Sequence, residues 1–95
     1  MKKAIYPGTF DPITFGHIDL IKKSLNIFDK VIVAVSDGNT KNYLFNAEER
    51  EQLIKKALFT DLKFSKKKID VTSFKTLTTD FCRKMKSNVI IRGLR

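Results

Sequence analysis

Ala4-Ile5-Tyr6-Pro7-Gly8-Thr9-Phe10-Asp11-Pro12-Ile13-Thr14-Phe15-Gly16-His17 is the stretch that decides the architecture. Ala4-Ile5-Tyr6 reads as a short strand. Residues 7–14 hold two prolines and a glycine, which punctuate a loop. Over residues 15–28 the apolar side chains of Ile18, Ile21, Leu25 and Phe28 recur at helical spacing. The chain thus opens as strand, loop, helix.

Downstream the pattern repeats. Val31-Ile32-Val33-Ala34-Val35 is an unbroken apolar run, as expected of a strand buried on both faces. Residues 36–45 are polar, with Asp37-Gly38-Asn39 as a turn signal. Asn46 followed by Glu49 forms a capping-box pattern and predicts a helix over residues 47–59, with Leu53, Ile54, Ala57 and Leu58 inward. Residues 63–68 make a basic connector, and residues 69–74 a strand. Leu77, Phe81 and Met85 mark a third helix, and Val89-Ile90-Ile91 a fourth strand that ends at Arg92-Gly93. Strands alternating with helices imply an α/β fold with a parallel sheet and right-handed crossovers. Ligands bind such sheets beyond the carboxyl ends of the strands. The loops there are residues 7–14, 36–45, 74–77 and 92–95. No repeat, linker or low-complexity segment divides the 95 residues, so residues 1–95 read as a single domain.

Composition narrows the function classes. A hydrophobic share of 42% is that of a globular protein. Lys and Arg number 19 against 10 Asp and Glu, a net charge of +9. Such a balance attracts anions: nucleic acid, anionic lipid or small phosphorylated substrates. Charge alone does not choose among them, and a lysine-rich excess also suits a solvated surface. A nucleic-acid module would rest on Lys63, Lys66, Lys67 and Lys68, but the chain has no recognisable binding motif and no aromatic stacking series. One cysteine, Cys82, builds neither a disulfide framework nor a zinc site. The apolar stretch after Lys2-Lys3 is too short for a signal peptide, and no run approaches a membrane span, so a cytoplasmic protein is expected.

The first loop carries the chemistry. Helix N-termini present unpaired backbone N–H groups and the positive end of the dipole, a natural seat for phosphate. Gly8 and Gly16 would let the backbone turn sharply or approach a ligand. His17 falls in the first helical turn, where its ring could donate to phosphate oxygens. A single histidine near a helix start is more often structural, so the surrounding residues must decide. The chain has no G-x-G-x-x-G and no Walker lysine loop, which leaves dinucleotide-binding and P-loop readings without their key residues.

Thr14-x-Gly16-His17 after a strand resembles the signature of the nucleotidyltransferase superfamily. The longer string from Tyr6 through Ile18-Asp19 resembles bacterial phosphopantetheine adenylyltransferases specifically. Lys41 ahead of Phe45-x-x-Glu48-Glu49-Arg50, and the terminal Arg92-Gly93-Leu94-Arg95, are similar to two further segments of that family. The resemblance covers the whole chain apart from a longer connector near residues 61–68. It implies a Rossmann-like nucleotidyltransferase fold of strand order 3-2-1-4-5. It also implies a reaction: the phosphate of 4′-phosphopantetheine attacks the α-phosphorus of ATP, giving dephospho-CoA and pyrophosphate for coenzyme A biosynthesis. By the same resemblance His17 would stabilise the transition state and bind ATP. Thr9 would touch both substrates, and the Thr9–Phe10 backbone would contact ATP. Lys41, Thr78 and Arg92 would bind phosphopantetheine, and Gly93, Leu94 and Arg95 would contact ATP. Mg²⁺ would come with the nucleotide, with no protein-built metal site. The family's assembly is a homohexamer. Neither nucleic acid nor a membrane is an expected partner.

The chain also departs from the family. Members run to about 160 residues, a size usual for one α/β domain. Their second half carries a serine-rich ATP-binding segment and a glutamate that contacts ATP. The domain is therefore expected to be incomplete at its C-terminus, with two readings open: part of an active enzyme, or a truncated remnant that retains part of the substrate site. By itself the chain is expected to turn over little ATP and to expose the edge of its fourth strand, which invites association. Phe15 stands where the family usually has Asn, and Asn42-Tyr43 replaces a segment that often contains proline.

Overall fold

Parallel strands organise the computed structural model, which describes residues 2–36, 45–74 and 90–91. In chain order the elements are β1 (Lys3–Gly8), α1 (Phe15–Ser24), β2 (Lys30–Ser36), α2 (Ala47–Lys55) and β3 (Ile69–Phe74). A π-helical segment over Lys56–Asp61 continues α2. β2 lies between β1 and β3, and both pairings are parallel. On the other side of β1, Ile90 forms a parallel bridge with Ile5, and the Ile91 N–H donates to the Ile5 carbonyl at 2.8 Å. Read across the sheet, the order is third strand, second, first, then the segment of the fourth. That agrees with the first four places of the order implied by the resemblance. The predicted third helix at Leu77, Phe81 and Met85, and Val89 of the fourth strand, lie outside the described residues.

β2 is the centre of the core because it is apolar on both sides. Val31, Val33 and Val35 pack with Ala4, Tyr6 and Ile69 against Ile21 of α1 and against Ile54 and Leu58. On the opposite face Ile32 and Ala34 join Ile5, with Phe74 and Ile90 packed against them. Each of these β2 residues is at most 1% exposed. Full burial of a Val or Ile side chain contributes roughly 1.5–3 kcal/mol, and this strand holds more buried apolar residues than any other described element.

Two boundaries and one buried face differ from the sequence reading. β1 continues through Pro7 and Gly8, which pair with Ala34 and Val35. Proline's fixed φ suits an extended strand end, where its missing N–H disrupts little. α1 stops at Ser24 rather than running to Phe28. The Ser24 hydroxyl donates to the Leu20 carbonyl at 2.7 Å, and the next amides bond three residues back, Asn26 to Lys23 and Ile27 to Ser24. Leu25 and Phe28 still pack on the core from the turn that follows. In the second helix the buried stripe is Arg50, Ile54 and Leu58, spaced by four, and Leu53 lies one position off it at 37% exposure. A buried Leu53 was the wrong expectation, because the stripe is set by Arg50 rather than by the densest apolar cluster.

Candidate active site

The strands end side by side, with Gly8 opposite Val35 and Ser36 opposite Phe74. Thr9 therefore leaves the same sheet edge at which the strands leading to Lys41 and Thr78 end. Lys41, Thr78, Arg92, Gly93, Leu94 and Arg95 themselves lie outside the described residues. Of the expected site residues, Thr9, Phe10 and His17 are described, and they come together. Tyr6, Gly8, Thr9, Gly16, His17 and Lys23 are among the residues that line a cleft of about 490 Å³ between the end of β1 and the start of α1. A depression of about 550 Å³ between α2 and β3 contains none of them.

Phe10 shapes this cleft. It takes φ 48°, a left-handed conformation unusual for a bulky residue. The turn drives its ring inward, to 1% exposure. The ring meets Tyr6 edge-on, with centroids 5.2 Å apart, and His17 at 4.8 Å. Holding such a backbone costs on the order of 1–3 kcal/mol. Burying a phenyl ring returns about 1.5–3 kcal/mol, and aromatic edge contacts add to it, so burial suffices to hold the turn.

Neither Gly8 nor Gly16 has a positive φ, so neither serves a left-handed turn. Gly8 provides space: a Cβ there would lie 3.0 Å from Cε2 and 3.1 Å from Cζ of Phe10. Gly8→Ala should accordingly destabilise the fold by about 1–3 kcal/mol, the usual effect of overpacking. Denaturant unfolding checks this, and a midpoint equal to that of the parent would contradict it. At Gly16 a Cβ would meet only the Thr14 hydroxyl, at an ordinary 3.7 Å. Its bare backbone leaves the start of the helix open to the cleft.

His17 and Thr14 build the start of α1 together. The Thr14 hydroxyl accepts from the His17 amide at 3.4 Å, and the Thr14 amide donates to Nδ1 of His17 at 2.9 Å. Thr14 Oγ1 also lies 3.1 Å from Nδ1. This is a capping box in which the imidazole replaces the usual Glu or Gln. Because Nδ1 accepts, the neutral ring carries its proton on Nε2. The first turn of α1 holds no acidic side chain, so the positive end of the helix dipole is not offset locally. Lys23, one residue of the cleft wall, pairs with Asp19 at 3.0 Å on the exposed helix face.

Two residues without an assigned role in the sequence reading tie the site together. The Asp11 carboxylate accepts from the Phe45 amide at 3.0 Å, joining the first loop to the start of the second helix. Arg50 is fully buried. Its Nη1 donates to the Thr9 carbonyl at 2.7 Å and to the Ser36 carbonyl at 2.9 Å, and its Nε donates to the Phe45 carbonyl at 3.1 Å. A signal for Arg50 was available: a charged residue four positions before Ile54 and eight before Leu58 sits on the apolar stripe. Asp11 offered none, since a carboxylate in a proline loop is ordinary turn chemistry.

Residues 5–95 match the cytidylyltransferase-like family. A phosphopantetheine adenylyltransferase of Pelagibacter ubique is 74% identical over 96 residues, which cover 100% of this chain and 58% of that protein. One from Nautilia profundicola is 50% identical, over 98% of this chain and 57% of its own length. The chain thus spans somewhat more than half the length of these curated relatives. Among solved structures, a Plasmodium falciparum nicotinic acid mononucleotide adenylyltransferase complexed with NaAD superposes with a TM-score of 0.71 at 28% identity, covering 90% of this chain and 46% of that one. A bifunctional NMN adenylyltransferase/ADP ribose pyrophosphatase from Francisella tularensis shares the fold, with a TM-score of 0.72 at 20% identity over 90% of this chain and 26% of its own. The architecture is the Rossmann-like nucleotidyltransferase fold.

Proposed function

The chain belongs to the cytidylyltransferase-like family, and from this we propose that it serves the transfer of AMP from ATP to 4′-phosphopantetheine, giving dephospho-CoA and pyrophosphate. The observation that carries the reading is the Thr14–His17 capping box at the carboxyl edge of the sheet, with the imidazole proton directed to Nε2. The similarity to phosphopantetheine adenylyltransferases supports the choice of acceptor.

In this reaction a phosphate oxygen of phosphopantetheine forms a bond to the α-phosphorus as the bond from that phosphorus to the bridging oxygen breaks. Pyrophosphate leaves with the bonding electrons. No covalent intermediate on the chain is required, so catalysis is positioning and charge stabilisation. His17 would donate from Nε2 to an α-phosphate oxygen as charge grows there. Thr14 would hold the ring in the tautomer that permits this. Phe10 and Tyr6 would fix the ring plane. Thr9 would touch both substrates, and the backbone at Thr9–Phe10 would contact ATP. Lys41, Thr78 and Arg92 would bind phosphopantetheine, and Gly93, Leu94 and Arg95 ATP.

A magnesium ion carried by the nucleotide would neutralise charge on the departing phosphates. Among the described residues no group of three His, Cys, Asp or Glu side chains could hold a metal ion. Assembly as a homohexamer and a cytoplasmic location belong to the same proposal. No helix among the described residues is long and apolar enough to cross a membrane.

Phosphopantetheine-dependent release of pyrophosphate from ATP tests the reading. ATP binding without such release would favour the non-catalytic alternative. Lys41→Ala and Arg92→Ala should each weaken phosphopantetheine binding by about 10-fold or more, since a hydrogen bond to a charged group contributes roughly 1.5–3 kcal/mol. Unchanged affinity in both variants would remove these residues from the substrate site.

A further inference from the structure

Arg50 has a placement that packing alone does not require. A guanidinium in the core must replace the hydration of a full charge, and apolar residues of similar volume often stabilise such positions better. Arg50 nevertheless takes a fully buried position in line with Ile54 and Leu58. Its three described bonds all go to backbone carbonyls at the ligand edge of the sheet. Thr9 O belongs to the loop after β1, at 2.7 Å. Ser36 O is the last carbonyl of β2, at 2.9 Å. Phe45 O, at 3.1 Å, precedes α2. Ser36 and Phe45 bound residues 37–44, the segment that contains Lys41. One planar group therefore holds both ends of that segment and the residue that begins the first loop. Asp11 adds a fourth tie at the same corner by accepting the Phe45 amide.

We propose that Arg50 is a positioning residue that fixes Ser36 and Phe45, the two ends of the segment to which the proposed function assigns acceptor binding, relative to the nucleotide loop at Thr9. The inference rests on the proposed function for the names of the ligands, and on the three carbonyl bonds for its mechanics. A guanidinium suits the task because its donors lie in a rigid plane and point in several fixed directions. A lysine ammonium keeps the charge but is a compact centre on a flexible stem, and it does not span the same three acceptors. An in-line reaction depends on the relative placement of two substrates, and a misplacement of about 1 Å can lower rates by about 100-fold. Loss of the clamp should thus disturb both ligands together, whereas loss of Lys41 should affect one.

The test compares Arg50→Lys with Leu58→Ala, a core change in the same helical stretch that leaves the loop contacts in place. Two quantities are read on the purified chain: amide exchange at Phe45 relative to Val33 and Val35, and affinities for ATP and for 4′-phosphopantetheine by calorimetry. In Arg50→Lys, exchange at Phe45 should rise about 10-fold or more relative to the β2 amides, reporting a local opening. Both affinities should fall several-fold. Leu58→Ala should accelerate exchange of the β2 amides without this selective effect. Arg50→Gln, which buries no charge, repeats the comparison if the lysine variant does not fold. Unchanged Phe45 exchange and unchanged affinities would overturn the proposal. So would the same pattern in Leu58→Ala, which would make Arg50 a stability residue only. If the parent chain binds neither ligand, the functional reading fails, and the clamp is decided by the exchange data alone.

Discussion

In the protein at its relatives' full length, replacing His17 by alanine should lower turnover by on the order of 100-fold or more while ATP affinity changes far less, because a donor aimed at developing charge acts mainly in the transition state. The imidazole has a second task that must be separated from this one. Its Nδ1 accepts the Thr14 amide at 2.9 Å and so caps α1. Alanine removes the cap as well as the donor, and loss of a cap costs about 0.5–2 kcal/mol. His17→Gln separates the two effects. A glutamine at the third helical position is the usual capping-box partner and can accept the Thr14 amide through its carbonyl oxygen. It presents no imidazole N–H, although its side-chain NH2 can still donate. Stability near that of the parent with turnover well below the parent's is the expected result, measured by unfolding and by initial rates of pyrophosphate release. Turnover near the parent's in the glutamine variant would show that the imidazole itself is not required.

Phe10→Ala should destabilise the chain by about 3–5 kcal/mol, the range for emptying a buried phenylalanine site. Phe10 is 1% exposed and bridges Tyr6 and His17, so the void would open beneath the imidazole. Natural domains hold only about 5–15 kcal/mol in total, and a small one sits low in that range, so a large unfolded fraction should appear at moderate temperature. Phe10→Leu should retain more of the fold yet leave His17 without its edge-on neighbour. Its turnover should therefore fall by more than its loss of stability accounts for at a temperature where it is folded. Chemical denaturation of both variants checks the first part, and rates on the leucine variant the second. An alanine variant as stable as the parent would show that the ring does not support the loop.

Much of the first half of the site was legible from local chemistry. The prolines after Ala4-Ile5-Tyr6 and the spacing of Ile18 and Ile21 locate the strand-to-helix passage, and His17 in the first helical turn follows from that count. The role of Gly8 was not legible. Sequence suggests a free backbone, whereas the structure uses the missing Cβ to seat the Phe10 ring. Thr14 as a cap partner was hidden because the capping-box rule looks for Glu or Gln, and here an imidazole nitrogen accepts instead.

The sequence by itself determined the order of the described elements, the burial of β2 on both faces and the family to which residues 5–95 belong. These depend on periodicity, on unbroken apolar runs and on a motif contained in consecutive residues, all properties of neighbours along the chain. Only the tertiary structure decided that Phe10 turns left-handed beneath His17, that Nδ1 is the accepting nitrogen, and that Arg50 joins Thr9, Ser36 and Phe45. The Arg50 bond to Thr9 spans 41 positions of sequence, and the Asp11 bond to Phe45 spans 34. Such pairings exist only once parallel strands bring separate loops to one edge, and a buried polar group must find its partners there because water cannot supply them.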